Sequence, residues 1–262
     1  MTRDFFTFNI VIFLPQIQYI IYNEIYPWEN TMIKVFRLKS ILIITSAIFI
    51  VIALSISIVS ASQIKVPKSI YTIVIDAGHG GRDDGCSGTN GTKESVLNLA
   101  ISRTLKSYLE TLGIRVVMTR SDSNGLYDSN ATNFKQSDME KRIQIINNAN
   151  PDMVISIHQN SYADNTQCGA QAFYQENDER SKAFAESVQT QLVSHLDNAR
   201  AEANFGDYYL LKESNVSAVL IECGYLTNPQ EESKLNTVEY QNKVAYSIMC
   251  GVIKYFELCG ND

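Results

Sequence analysis

The apolar positions of this chain follow two different periods from residue 71 onward. Short β-branched runs predict buried strands, and segments in which apolar residues recur every three or four positions predict helices. The strands are expected at 71–76, 114–119, 153–157, 170–174, 208–211 and 218–221, with 170–174 as an edge or antiparallel strand. The helices are expected at about 93–112, 138–148, 179–196 and 238–256. This alternation predicts an α/β fold, a single domain whose mixed, mostly parallel sheet carries helices on both faces.

The N-terminal region has a different pattern. Residues 40–59 carry no charge, three basic residues precede them, and Val59-Ser60-Ala61 follows. This order is typical of a secretory signal peptide over residues 32–61, cleaved after Ala61. The apolar run is also long enough to span a bilayer, so an uncleaved signal would act as a membrane anchor. Both alternatives place the rest of the chain outside the cytoplasm, with the membrane involved only through this segment.

Three further boundaries follow from the same pattern. A signal peptide begins close to its basic residues, so we expect translation to start at Met32 and residues 1–31 to be a mis-assigned extension. The alternative for that extension is a second membrane-associated stretch at 5–22. Residues 62–70 are expected to form a linker, and residues 71–257 form the predicted domain.

Composition narrows the classes of function. Removing residues 1–61 takes four of the 22 basic and three of the 28 acidic residues, which leaves a net charge near −7. An acidic domain lacks the excess of basic residues that is typical of nucleic-acid-binding proteins. The five cysteines form no Cys-x-x-Cys pair, so a structural zinc site with thiolate ligands is not expected.

The candidate chemistry lies where three predicted strands end. His79 follows the first strand closely, His158 ends the strand at 153–157, and Glu222 ends the strand at 218–221. The carboxyl edge of an open α/β sheet is where such folds bind ligands. Two of the three histidines in the chain therefore fall where a site is expected, whereas His195 is interpreted as a surface or capping residue.

A catalytic zinc ion needs about three nitrogen or carboxylate ligands and one open position for water. His79 and His158 are two candidate ligands, and Glu94 is the best third, because it opens the helix that follows the glycine-rich loop after His79. The alternative for Glu94 is structural, since the helix dipole alone favours an acidic residue in a first turn. Glu222 is the candidate base. A carboxylate beside a buried strand costs free energy unless it has a bonding partner or a catalytic role. Its alternative is a salt-bridged structural residue.

Four segments in this order resemble the zinc-dependent N-acetylmuramoyl-L-alanine amidases of bacterial cell walls, of the Amidase_3 type. They are Asp76-Ala77-Gly78-His79-Gly80-Gly81, Lys93-Glu94-Ser95, Ser156-Ile157-His158-Gln159-Asn160 and Ile221-Glu222-Cys223-Gly224-Tyr225-Leu226-Thr227-Asn228. The resemblance covers roughly residues 71–257 and implies that this range is the catalytic domain, with a phosphorylase/hydrolase-like α/β fold. It also implies that one zinc ion is bound by His79, Glu94 and His158, and that Glu222 is the catalytic glutamate. Gln159 and Tyr162 depart from the small residues common in the family and would narrow the cleft.

The resemblance implies a reaction and a location. The expected reaction is hydrolysis of the amide between the lactyl group of N-acetylmuramic acid and L-alanine in peptidoglycan. A lone exported catalytic domain resembles the germination-specific amidases of the spore cortex, which prepare muramic-δ-lactam. Such a domain has little surface for holding the wall, so a partner protein that delivers or activates it is expected.

Two alternatives remain at this point. A zinc peptidase that cuts within the stem peptide would use the same kind of His, Glu and His site. A non-catalytic wall-binding or activator protein would have kept the fold, but it would have no use for Glu222.

Overall fold

The computed structural model describes residues 45–46 and 71–259. The chain separates into two units, Met1–Lys65 and Val66–Asp262. Thr45 and Ser46 are helical and exposed, and the rest of the predicted extension, signal and linker lies outside the described residues. Within the described residues, no helix is both long and apolar enough to cross a membrane.

Strands and helices alternate along residues 71–259. The strands are β1 Thr72–Ala77, β2 Arg115–Met118, β3 Met153–Asn160, β4 Gln171–Tyr174, β5 Asn204–Phe205 and β6 Ser217–Tyr225. The helices are α1 Glu94–Thr111, α2 Phe134–Ala149, α3 Glu179–His195, α4 Tyr209–Glu213, α5 Pro229–Leu235 and α6 Val238–Cys259.

All six strands form one sheet in the order β2-β1-β3-β6-β4-β5. The pairs β1–β2, β1–β3, β3–β6 and β4–β5 are parallel, and β4–β6 is antiparallel. Helices α1, α3 and α6 pack together on one face, and α2 and α4 contact each other on the opposite face. The predicted α/β fold with a mixed, mostly parallel sheet between helices is confirmed, and β4 runs antiparallel to its neighbour β6, as expected.

The two-residue period of the strands sorts the core. Ile73, Ile155 and Ile221 face the large apolar cluster under α1, α3 and α6. Val74 and Leu220 face the smaller cluster under α2 and α4. Side chains two residues apart share a face, so four polar residues extend the smaller face beyond its apolar part: Asp76, Ser156, His158 and Glu222.

Two strands continue further than predicted. We expected β3 to end at His158 and β6 to end at Glu222, but these residues are paired with each other inside the sheet. The strands run on to Asn160 and Tyr225 after an irregularity in register. A polar residue does not end a strand when the residues after it are buried again, as Cys223 is after Glu222.

The strand predicted at 208–211 is wrong, since residues 209–213 form the short helix α4. Leu210 and Leu211 are both buried in the same cluster, whereas adjacent residues of a strand point to opposite faces. The apolar pattern does not predict helix α5, although Asn228 caps it and Pro229 begins it, and both residue types are typical of a helix N-terminus. Helix α2 begins one turn earlier than expected because the Asn133 side chain accepts a hydrogen bond from the Gln136 amide.

Candidate metal centre

His79 lies two residues beyond β1 in a left-handed backbone conformation, with φ 61°. The preceding Gly78 lies directly against the second histidine, because a Cβ atom on Gly78 would come within 2.3 Å of the His158 ring. His79 Nδ1 is 2.9 Å from Asp83 Oδ2, so its Nε2 atom is left to face the site. A carboxylate on the outer nitrogen is the usual means of orienting a metal-binding imidazole.

Glu94 is the first residue of α1, and its side chain is 4% exposed. Its Oε1 atom lies 3.2 Å from His79 Nε2 and 2.9 Å from His158 Nδ1. The other oxygen, Oε2, accepts a hydrogen bond of 2.8 Å from the Cys86 amide. The carboxylate is therefore fixed between the two imidazoles by the loop that leads into its own helix.

These contacts govern the charges at the site. Burial alone would raise the pKa of Glu94, but hydrogen bonds from His158 and His79 hold it well below its usual range. Burial alone would lower the pKa of His79, but Glu94 and Asp83 raise it to about 9. The carboxylate is thus ionised, and its negative charge favours a cation between the three side chains.

The donor set fits a zinc ion. One ligand atom each from His79, Glu94 and His158 lies within 4.8 Å of the other two. Two imidazole nitrogens and one carboxylate oxygen are ligands that zinc prefers, and three protein ligands leave a fourth position for water. The structure brings together the three residues that the sequence singled out, and their role as ligands remains a prediction.

Glu222 lies beside this group, because it is paired with His158 across β3 and β6. The side chain is buried, and its Oε2 atom has no hydrogen-bond partner among the described residues. Burial raises the pKa of Glu222 to about 7, an effect that the nearby His158 opposes and Glu94 reinforces. A carboxylate with a free oxygen and a pKa near neutrality has the properties of a general base. No ion pair of Glu222 appears among the described residues, which disfavours its salt-bridged alternative.

Two buried arginines, Arg142 and Arg120, hold the loop that carries His79. No sequence motif indicates this role. Arg142 donates hydrogen bonds to the Ala77 and His79 carbonyls and to Asp76. Arg120 donates to the Ala77 and Gly78 carbonyls. Asp76 comes at the end of an apolar run within β1, just as Glu222 does within β6, so the free-energy cost of burying a carboxylate indicates that Asp76 needs a buried partner.

Another buried carboxylate, that of Glu232 in α5, holds the loop before Glu94. Its oxygens accept hydrogen bonds from the Thr89 hydroxyl at 2.6 Å, the Asn90 amide at 3.0 Å and the Thr92 amide at 3.3 Å. Burial alone would raise the pKa of Glu232, but these hydrogen bonds lower it to about 2. No local sequence pattern predicts this contact, because the two segments are 140 to 143 residues apart.

A cavity of about 270 Å³ adjoins the two histidines on the α2 and α4 side of the sheet. Its walls include four aromatic side chains: Tyr127, Phe134, Tyr208 and Tyr209. The cavity therefore offers a largely apolar surface next to the group of possible ligands. His195 lies far from this site in sequence and is exposed at the end of α3, as predicted.

Comparisons with known proteins agree with this geometry. The sequence model of the N-acetylmuramoyl-L-alanine amidase family, Amidase_3, matches residues 73–254. A germination-specific N-acetylmuramoyl-L-alanine amidase of Bacillus subtilis is 32% identical over 73% of this chain and 82% of its own length.

Two solved structures have the same fold. The CwlD amidase from Clostridioides difficile, in complex with the GerS lipoprotein, is 35% identical with a TM-score of 0.69, over 72% of this chain and 99% of that one. The catalytic domain of CwlV, an amidase from Bacillus (Paenibacillus) polymyxa, is 30% identical with a TM-score of 0.64, over 72% and 99% of the two chains.

Proposed function

This chain belongs to the N-acetylmuramoyl-L-alanine amidase family, and we propose from that premise that His79, Glu94 and His158 bind one zinc ion and that Glu222 is the catalytic base. The chain is an N-acetylmuramoyl-L-alanine amidase that acts on peptidoglycan. The observation that carries the proposal is the convergence of three ligand atoms within 4.8 Å of one another. It is supported by the buried carboxylate next to them, which has a free oxygen.

The proposed roles account for the hydrolysis of an amide. A zinc ion in the site would polarise the scissile carbonyl and lower the pKa of a neighbouring water toward about 7. Asp83 holds the His79 ring in orientation through Nδ1. Glu222 takes a proton from the attacking water as the water oxygen bonds to the carbonyl carbon. It then gives that proton to the alanine nitrogen as the carbon–nitrogen bond breaks.

Metal analysis and product analysis together test this proposal. The domain from residue 62 onward should contain about one zinc ion per chain, and its digests of peptidoglycan should contain intact stem peptides with a free L-alanine amine. Shortened stems that remain on the sugar would indicate a peptidase instead. A chain that cleaves the amide at full rate without any metal would contradict the ligand assignment.

We further propose that the substrate is spore cortex peptidoglycan and that the product leads to muramic-δ-lactam. Support comes from the germination-specific relative of Bacillus subtilis. Cortex from cells that lack this chain should then contain no muramic-δ-lactam. A normal lactam content in such cortex would contradict this role.

The same reasoning extends to export and to a partner. We propose that residues 32–61 export the chain, that residues 62–70 are a linker, and that residues 71–257 act on the outer side of the membrane. The CwlD amidase of known structure is in complex with a lipoprotein, which supports a delivering or activating partner here. Full activity of the purified domain with zinc alone on intact cortex would count against the partner.

A further inference from the structure

We infer that Asn98 is a positioning residue for Glu94: its side-chain amide fixes the carboxylate oxygen that faces the two imidazoles, and the Gln159 side chain holds that amide in turn. This inference rests on the proposed role of Glu94 as a zinc ligand and deepens it. Asn98 lies in none of the four sequence motifs.

Asn98 lies one turn after Glu94 in α1 and is completely buried. Its Nδ2 atom donates a hydrogen bond of 3.2 Å to Glu94 Oε1 and another of 3.1 Å to the Gly78 carbonyl. Since a carboxylate and a carbonyl can only accept hydrogen bonds, these two partners fix which end of the side chain is the NH₂ group. One amide therefore joins the carboxylate of the predicted ligand to the residue that precedes His79.

Gln159 holds Asn98 from β3, the strand that carries His158. Its Nε2 atom donates a hydrogen bond of 3.1 Å to Asn98 Oδ1, and its backbone amide donates one of 3.1 Å to Glu94 Oε1. The sequence predicts that Gln159 narrows the cleft, but the residue is buried against Asn98 instead. Asn98 and Gln159 thus connect the loop of Gly78, helix α1 and strand β3, the three segments that carry the predicted ligands.

These two amides are not needed to satisfy the backbone. The Gly78 carbonyl also accepts a hydrogen bond of 2.9 Å from Arg120 Nη2. The Oε1 atom of Gln159 is buried and has no hydrogen-bond partner among the described residues, so burial of this side chain costs free energy that its bond to Asn98 offsets only in part. Such a polar pair in the interior calls for an explanation, and the orientation of the Glu94 carboxylate provides one.

The hydrogen bonds hold both oxygens of Glu94. The terminal torsion of a glutamate is broad, so a carboxylate without fixed partners can turn about it. The Cys86 amide binds Oε2, whereas Asn98 and the Gln159 amide bind Oε1. The carboxylate is therefore oriented when the domain folds, and the free energy of ordering it does not reduce the affinity for a metal ion.

The test is the zinc affinity of the full chain with Asn98→Ala, measured by competition with a chelator of known affinity. We expect the dissociation constant to rise about 10- to 100-fold, the range for loss of a hydrogen-bonding partner of a metal ligand. Gln159→Met, which keeps the length of the side chain and removes its amide, should raise the constant by a smaller factor. It should cause no further rise in the Asn98→Ala background, because the group that it holds is already absent. With Co²⁺ in place of zinc, Asn98→Ala should also change the visible absorption of the metal, which depends on ligand geometry.

The matched control is Gln189→Met, the same substitution at another buried glutamine. The hydrogen bonds of Gln189 join α3 to residues 170–172 and to residue 200. Its loss should lower the thermal midpoint of the metal-free chain and leave the zinc affinity unchanged. An unchanged zinc affinity in Asn98→Ala would overturn the positioning role, and if that variant does not fold, an unchanged affinity in Gln159→Met would overturn it. An unaltered chain that binds no zinc would instead refute the ligand assignment, and the positioning role with it.

Discussion

Replacing Asp76 by asparagine should destabilise the folded domain, and the size of the effect follows from the buried ion pair with Arg142. The two side chains are almost completely buried, and Arg142 Nη1 lies 2.6 Å from Asp76 Oδ1. Burial alone would raise the pKa of Asp76, but the charges of Arg142 and His158 and the hydroxyls of Ser156 and Thr119 lower it to about 2. Its ordinary value is 3.8.

This difference converts to a free energy. A depression of almost two pKa units corresponds to about 2 kcal/mol of stability at neutral pH. Asp76→Asn should therefore lower the free energy of unfolding by about 2 to 4 kcal/mol, since the substitution also leaves part of the Arg142 charge unpaired in the interior. Urea unfolding at pH 7, followed by circular dichroism, measures this loss.

The pH dependence has a definite sign. Because the folded-state pKa is depressed, the stabilisation is complete above the unfolded value of 3.8 and is lost as the pH falls through about 2. About half of it should be gone at pH 3, so the difference between the wild type and Asp76→Asn should shrink between pH 5 and pH 3. The control is Asp197→Asn, which removes an exposed ion pair with Lys234 and should leave the unfolding midpoint unchanged. An Asp76→Asn variant as stable as the wild type at pH 7, or a difference that does not change with pH, would refute the reasoning.

Three further predictions concern the site itself. Glu94→Gln should reduce the zinc content from about one ion per chain toward none and abolish amide cleavage, because it removes the negative charge between the two imidazoles. An unchanged metal content would show that Glu94 is not a ligand. Glu222→Gln should keep the zinc but lower kcat by about 10² to 10⁴-fold, the range for loss of a general base. An undiminished rate of product release, measured by mass spectrometry, would contradict the role of Glu222 as the base. Gly78→Ala should lose both metal and activity, since the added Cβ would come within 2.3 Å of the His158 ring. Gly113→Ala is its control, because its φ of 78° is also positive but no atom lies within 4 Å of the added Cβ, so it should cost about 1 kcal/mol of stability and keep the zinc.

The sequence predicted the fold class and the juxtaposition of His79, Glu94 and His158, because both follow from local patterns. Apolar periods define strands and helices, and parallel strands bring their carboxyl ends to one edge. The same patterns could not identify α4, where two adjacent buried leucines look the same in a strand and in a helix. They also could not identify Glu232 as the support of the loop before Glu94, because its partners are about 140 residues away in the chain.

The buried charges explain why the loop after β1 can carry a metal ligand at all. His79 adopts a left-handed conformation, which is unfavourable for a residue with a side chain. The carbonyl groups of residues 77–79 accept hydrogen bonds from Arg142 and Arg120, which hold the backbone in this conformation. Asp76 in turn neutralises Arg142 from the same face of the sheet that carries His158 and Glu222. The geometry of the site is therefore tied to the core through a charge pair, so a substitution that breaks this pair should weaken zinc binding as well as the fold.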